Sequence, residues 1–193
     1  MNAYGRQLLT SLRFLFFATL LLGLAYPALV FGVGQLAAPA QANGSIITVS
    51  GQPAGSSLLA QPVTGDGYFY PRPSAVGWDP SQSSASNLGP NQPALVAAIA
   101  KNRAAVAARE QVPPASVPMD AVTASGSGLD PDISPAYAAL QVPRVARASG
   151  LGEAAVKALV AEHTSNGFLA FLGQPAVNTT TLNAALATLR AGH

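Results

Sequence analysis

Between Arg13 and Asp66 this chain carries no charged residue. The stretch opens on Phe14, Leu15, Phe16 and Phe17 and stays apolar through Leu29, Val30, Phe31 and Val33. About 20 apolar residues cross a hydrocarbon core of ~30 Å at ~1.5 Å per residue. Residues 14–34 therefore read as one transmembrane helix. Arg6 and Arg13 precede it, and no further Lys or Arg follows until Arg72. Flanking cations stay on the cytoplasmic side, which puts residues 1–13 inside and the chain beyond the span outside. A cleaved signal peptide is the competing reading, with Ala40-Gln41-Ala42 as an A-x-A site. The apolar run is longer than the ~7–15 residues of a usual signal core, and the site lies far beyond it. A retained anchor fits better. Pro27 inside the run is tolerable in a membrane helix.

Composition bounds the rest. The chain has no cysteine, so disulfides, thiolate nucleophiles and zinc–thiolate sites are excluded. The net charge of +2 belongs to the N-terminal tail: without Arg6 and Arg13, eight basic residues face eight acidic ones. A neutral domain has no basic stripe to track phosphates, which excludes nucleic acid. Charged residues make up 9% of the chain, few for a free soluble domain, so the outer part should lean on other protein surface.

Residues 35–43 read as a small-residue tether and 44–193 as one mixed domain. Ile46–Val49 and Ser57–Ala60 read as short strands around a Gly/Pro turn. Residues 65–93 form a long loop rich in Gly, Pro, Ser and Asn. Residues 93–110 read as a helix that turns Lys101, Arg103 and Arg109 toward water or a partner, ended by Val112-Pro113-Pro114. Val117–Ala124 is a strand candidate. Ser134 should cap a helix with Pro135 in its first position, and Pro143 should kink or break it. Gly150 and Gly152 mark a boundary. Residues 153–164 follow as a helix with Glu153 and Lys157 paired at i,i+4. Gly167–Leu172 reads as a strand or turn. Asn178 should cap a last helix, with Leu182, Leu186 and Leu189 facing inward. The fold class is α+β, helix-rich toward the C-terminus.

Several residues invite chemistry. Ser125-Gly126-Ser127-Gly128 could present a serine nucleophile, but that needs a histidine base, and the only histidines are His163 and His193. The same loop lacks the Gly-Lys-Ser/Thr ending of a phosphate-cradling loop. A plain turn is the simpler reading. Asp130-Pro131-Asp132, with Asp120, could bind a hard cation, yet carboxylates before Ser134-Pro135 serve better as helix-start groups. Arg72 stands among prolines and the aromatics Tyr68, Phe69 and Tyr70. It suits either a docking loop or a local clamp. The sequons at Asn43 and Asn178 are discounted, one as tether and one as cap.

These strings together resemble a known family. Tyr68-Phe69 with Arg72-Pro-Ser-Ala75, Ser86-Asn-Leu-Gly-Pro90, Val117-Pro-Met-Asp120, the run Thr123-Ala-Ser-Gly-Ser-Gly-Leu-Asp-Pro131, Ile133-Ser134-Pro135 and Gln141-Val-Pro-Arg-Val-Ala146 are similar to the C subunit of the Kdp potassium-transporting ATPase. So are Leu172-Gly173, Val177-Asn178, Leu182-Asn183 and Ala185-Leu186. The resemblance implies a non-catalytic, single-pass subunit of the bacterial inner membrane. Its partners would be a channel-like A subunit, a P-type ATPase B subunit, a small F peptide and membrane lipid. It implies no intrinsic cofactor and no catalytic or metal site, with ATP and potassium handled by the complex. It implies a role in assembly or in raising the ATPase subunit's ATP affinity. Tyr68, Phe69, Arg72, Ser74, Asn87, Ser125, Ser127, Asp130 and Arg144 are then the interface candidates. With the domain outside, any effect on ATP affinity has to be indirect. Ala60, Gln174, Ala176 and Thr181 depart from the family's usual residues, and Thr181 removes a capping-box glutamate. An anchored serine hydrolase using Ser125 or Ser127, or a ligand-binding module, is the alternative.

Overall fold

A computed structural model describes residues 3–166 and 173–191. Contacts divide the chain into two units, Met1–Ser45 and Ile46–His193.

In the first unit the apolar stretch is one long helix. It comprises α1 (Ala3–Leu20), a π turn at Leu21–Ala25 and α2 (Tyr26–Ala37). The whole spans 35 residues with a mean hydropathy of 2.2 in its most apolar window, and none of that window is buried. It begins before residue 14 and ends beyond residue 34. The π turn lies just ahead of Pro27. Proline has no N–H for the carbonyl four residues back and its ring crowds that group, so a widened turn accommodates it without breaking the helix. The small-residue tether is largely helical. α2 runs through Ala37 and a short α3 (Pro39–Ala42) follows. The small residues here are mostly alanines, the best helix formers.

The second unit begins with an antiparallel hairpin, β1 (Ile46–Val49) and β2 (Gln52–Ser56). The second strand therefore precedes Ser57–Ala60, where the sequence reading put it. Ser50 and Gly51 both take positive φ, +50° and +76°, and this two-residue turn pairs Val49 directly with Gln52. Residues 57–92 are irregular. α4 occupies Pro93–Glu110 and ends on Gln111 in the left-handed conformation. The strand expected at 117–124 is absent. Met119–Ala121 forms a single 3-10 turn instead. Pro118 removes a ladder donor there, and Asp120 is committed to another helix, as described below.

β3 (Asp132–Ile133) leads into α5 (Pro135–Ser149), capped as expected by Ser134, whose Oγ accepts the Tyr137 N–H at 3.0 Å. Pro143 neither breaks nor ends α5. Its neighbours Val142 and Val145 are fully buried, and their packing offsets the ~3 kcal/mol a mid-helix proline costs. Gly150 closes the helix at φ +73°. α6 (Glu153–Glu162) carries the expected Glu153–Lys157 pair at 3.5 Å. β4 (Thr164–Ser165), β5 (Ala176–Asn178) and α7 (Thr179–Ala191) complete the unit. The reading of Gly167–Leu172 lies outside the described residues. β5 is the centre of a three-stranded antiparallel sheet, in the order β3-β5-β4. The core gathers Ile133, Tyr137, Val142, Val145, Val156, Val177, Leu182 and Leu186. The architecture is α+β with one apolar N-terminal helix, as the sequence implied.

Candidate functional site

The loop Tyr68–Ser74 has no strand partner among the described residues, yet its backbone is held as if it had one. Phe69 donates its N–H to Asn183 Oδ1 at 2.8 Å, and Asn183 Nδ2 donates to the Phe69 carbonyl at 2.9 Å. Tyr70 repeats the pattern one residue on. Its N–H donates to Gln141 Oε1 at 2.7 Å, and Gln141 Nε2 donates to its carbonyl at 3.1 Å. A carboxamide carries one acceptor and one donor pair, which match the acceptor and donor of one extended residue. Gln141 on α5 and Asn183 on α7 thus replace a missing strand.

Beneath this loop lies a buried ionic cluster. Arg144 Nε donates to both oxygens of Glu110, at 3.1 and 3.0 Å, and its Nη2 donates to Gln141 Oε1 at 2.8 Å. Its Nη1 donates to the Asp66 carbonyl and, at 2.9 Å, to the Tyr68 carbonyl. The Glu110 side chain is fully inaccessible. Arg109, expected to face water or a partner, joins the cluster instead. It bonds Glu110 at 2.8 Å and the Tyr137 hydroxyl at 2.9 Å, and it stacks 4.0 Å from the centre of the Tyr70 ring. The buried carboxylate at the next position draws it inward. Burial opposes the Arg109 charge, but Tyr137 and Glu110 hold its proton more tightly than usual. Burial pushes the Tyr137 hydroxyl up from its ordinary value, and Arg109 opposes that rise.

On the other side, the loop meets the Ser125–Asp130 turn. Ser74 Oγ donates to the Gly128 carbonyl at 2.6 Å and accepts the Val76 and Trp78 N–H groups at 3.1 and 3.0 Å. Ser125 N–H reaches the Pro73 carbonyl at 3.3 Å, and Ser84 N–H reaches the Ser127 carbonyl at 2.9 Å. Gly128 stands at φ +72°, where an added Cβ would lie 2.6 Å from Val76 Cγ2 and 2.9 Å from the Ser84 carbonyl oxygen. Only glycine fits that crossing. Ser127 Oγ accepts the Leu129 N–H at 3.1 Å, so it closes a turn.

Arg72 pairs with Asp130 at 3.4 Å and approaches Thr123 Oγ1 at 3.5 Å. Its carboxylate neighbours serve the backbone. Asp130 Oδ1 accepts the Asp132 N–H at 3.0 Å. Asp120 accepts both the N–H and the hydroxyl of Ser134, at 2.7 and 2.9 Å. The helix-start role expected of Asp130 and Asp132 falls to Asp120 at the start of α5. A shallow cleft of about 200 Å³ remains, bordered by Arg72, Asp120, Asp130, Asp132 and Gln174. Burial and the nearby Asp130 charge raise the Asp132 carboxyl above its ordinary value of 3.8. Among the described residues no His, Cys, Asp and Glu side chains are grouped as a metal site.

Eight of the nine sequence candidates therefore meet in one assembly: Tyr68, Phe69, Arg72, Ser74, Ser125, Ser127, Asp130 and Arg144. Phe69, Ser125 and Arg144 are buried and shape that surface from beneath. Asn87 stands apart, exposed, at φ +53°. Glu110, Gln141 and Asn183 were not singled out as site residues. Gln141 had a local signal: it shares the inward helical face with Tyr137, Val145 and Arg144, and a polar residue on such a face needs a partner. His163 turns Nδ1 to the Leu159 carbonyl of its own helix at 2.9 Å, and neither candidate serine is among its hydrogen-bond partners.

A family model described as K+-transporting ATPase, c chain, matches residues 8–188. The chain belongs to the KdpC family. It is 54% identical to the potassium-transporting ATPase KdpC subunit of Kineococcus radiotolerans over 183 residues, 94% of this chain and 93% of that one. Identity to the KdpC subunit of Beijerinckia indica is 49%, over 87% of this chain and 86% of the relative. For Geobacter sulfurreducens it is 44%, over 95% and 98%. The KdpC match spans the apolar helix and both sides of the clamped loop, and the hydrolase alternative has no support.

Proposed function

We propose that this chain is the accessory, non-catalytic subunit of an ATP-driven potassium uptake complex. It is anchored in the inner membrane by the Ala3–Ala37 helix. Arg6 and Arg13 lie on the cytoplasmic side and the Ile46–His193 unit outside. Its partners are the channel-like A subunit, the P-type ATPase B subunit and the small F peptide, with lipid around the helix. The observation that carries this reading is the end-to-end family match, from residue 8 to residue 188.

The geometry supports an accessory part. The polar groups that could have done chemistry are spent on the fold. Ser127 closes a turn, Asp120 starts a helix, and Glu110 and Arg144 neutralise each other. What these contacts yield is a rigid outer surface, with Arg72, Tyr68 and Asp130 partly exposed on it as interface residues. ATP and potassium are handled by the partner subunits. An effect on ATP affinity passes through the helix or the neighbours, because the outer domain does not meet cytosolic nucleotide.

Co-purification in mild detergent tests the proposal. The chain should elute with the channel and ATPase subunits. Elution alone, while those subunits assemble normally, would refute it. Protease treatment of spheroplasts tests the topology: the outer unit should be cleaved, and protection would reverse the orientation.

A further inference from the structure

We infer that the cleft between the β1–β2 hairpin and α7 binds an extended, carboxylate-bearing peptide segment of another subunit. This rests on the accessory-subunit reading above. The cleft holds about 370 Å³ and meets the Arg72 assembly at Tyr68. Val49 and Ala54 of the hairpin and Ala184 and Ala187 of α7 supply apolar walls, and Gln61 and Val63 run along it. That volume accommodates a few side chains, at the small end of ligand sites.

Three observations specify the occupant. First, the Gln61 carboxamide makes no hydrogen bond to any described residue and lies against Gly55. Gly55 lies under it at φ +142°, and a Cβ there would sit 1.7 Å from Gln61 Nε2. The domain uses this same group twice to hold extended backbone, in Gln141 on Tyr70 and Asn183 on Phe69. Gln61 brings a third carboxamide, with the same donor and acceptor, to the edge of the cleft. Second, the N–H groups of Gln61 and Val63, two residues apart, have no backbone partner among the described residues, so an extended strand can pair beside them. Third, Arg190 lies one turn beyond Ala187, 5.7 Å above the ring of Tyr68, which also borders the cleft. Arg190 has no carboxylate partner among the described residues. A cation over the ring of this bordering tyrosine favours an acidic side chain or a C-terminal carboxylate over a basic peptide.

The test uses the full chain co-expressed with the other subunits. A photoreactive benzophenone amino acid replaces Ala187, or the exposed Ala148 as control. After irradiation of the purified complex, the adducts are mapped by mass spectrometry. The expected adduct from Ala187 lies on a non-helical segment of another subunit that carries apolar residues and an Asp, Glu or C-terminus. Gln61→Ala and Arg190→Glu should each abolish it, with co-purification and the thermal melting of the chain retained. No adduct, an adduct on lipid, or one on a second copy of this chain overturns the inference if the chain still co-purifies. Failure to co-purify overturns the accessory-subunit reading itself.

Discussion

Arg144 and Glu110 lie 34 residues apart in sequence and share a two-point contact in which neither side chain reaches solvent appreciably. The pair ties α4 to α5, and Arg144 extends the tie to the carbonyls of Asp66 and Tyr68 at the root of the clamped loop. Arg144→Met leaves the buried Glu110 carboxylate with Arg109 as its remaining cation and strips the donor from Gln141 Oε1 and the Asp66 and Tyr68 carbonyls, so it should destabilise the outer unit by about 3–5 kcal/mol. Arg144→Lys should not restore it, because an ammonium cannot reproduce the planar fork. Thermal unfolding of the purified chain, read by circular dichroism, measures both.

Gly128→Ala should cost roughly 1–3 kcal/mol from backbone strain, with the Val76 contact adding to it. The neighbouring Gly126 has open space around its Cβ position, and Gly126→Ala should be nearly silent. Comparing the two melting curves separates a crossing that demands glycine from one that merely contains it.

Ser74→Ala leaves two N–H groups and one carbonyl without their hydroxyl partner. The expected loss is about 1–3 kcal/mol, concentrated in the 72–84 loop. Amide hydrogen exchange should show faster exchange at Val76 and Trp78, with little change in α6.

Asp132 gives a pH prediction. Its carboxyl titrates above the ordinary value of 3.8, so the folded state favours the protonated form. The stability it contributes is fully present below its unfolded pKa and is lost as pH rises through the folded one. Asp132→Asn, which stays neutral, should therefore melt slightly higher than the wild type at neutral pH. The difference should vanish at acid pH, where both are uncharged. A melting-temperature series across pH decides it.

Local signals were readable wherever a residue acts on its own neighbourhood. The bounds of α4, the Ser134 cap and the Asn178 cap follow from proline, hydroxyl and amide positions within a turn. Asn178 Oδ1 accepts both the Thr180 and Thr181 N–H groups. The Thr181 hydroxyl in turn donates to the Asn178 carbonyl at 3.1 Å. The β2 register was not readable, because the apolar Leu58-Leu59-Ala60 outweighed a strand containing Pro53 and Gly55. In fact Ser50-Gly51 fixes the pairing. The candidate site was half legible. Its loop and turn stood out as motifs, but the clamp on Tyr68–Tyr70 comes from Gln141 and Asn183, 71 and 114 residues away from the residues they hold. Pairings of that range leave no local pattern.

Potassium-stimulated ATP hydrolysis by the complex, prepared with and without this chain at equal amounts of the other subunits, tests the central claim most directly. The account predicts that preparations lacking the chain assemble poorly and lose most of the stimulated activity, which returns when the wild-type chain is added. Full assembly and undiminished stimulated hydrolysis in its absence would contradict it.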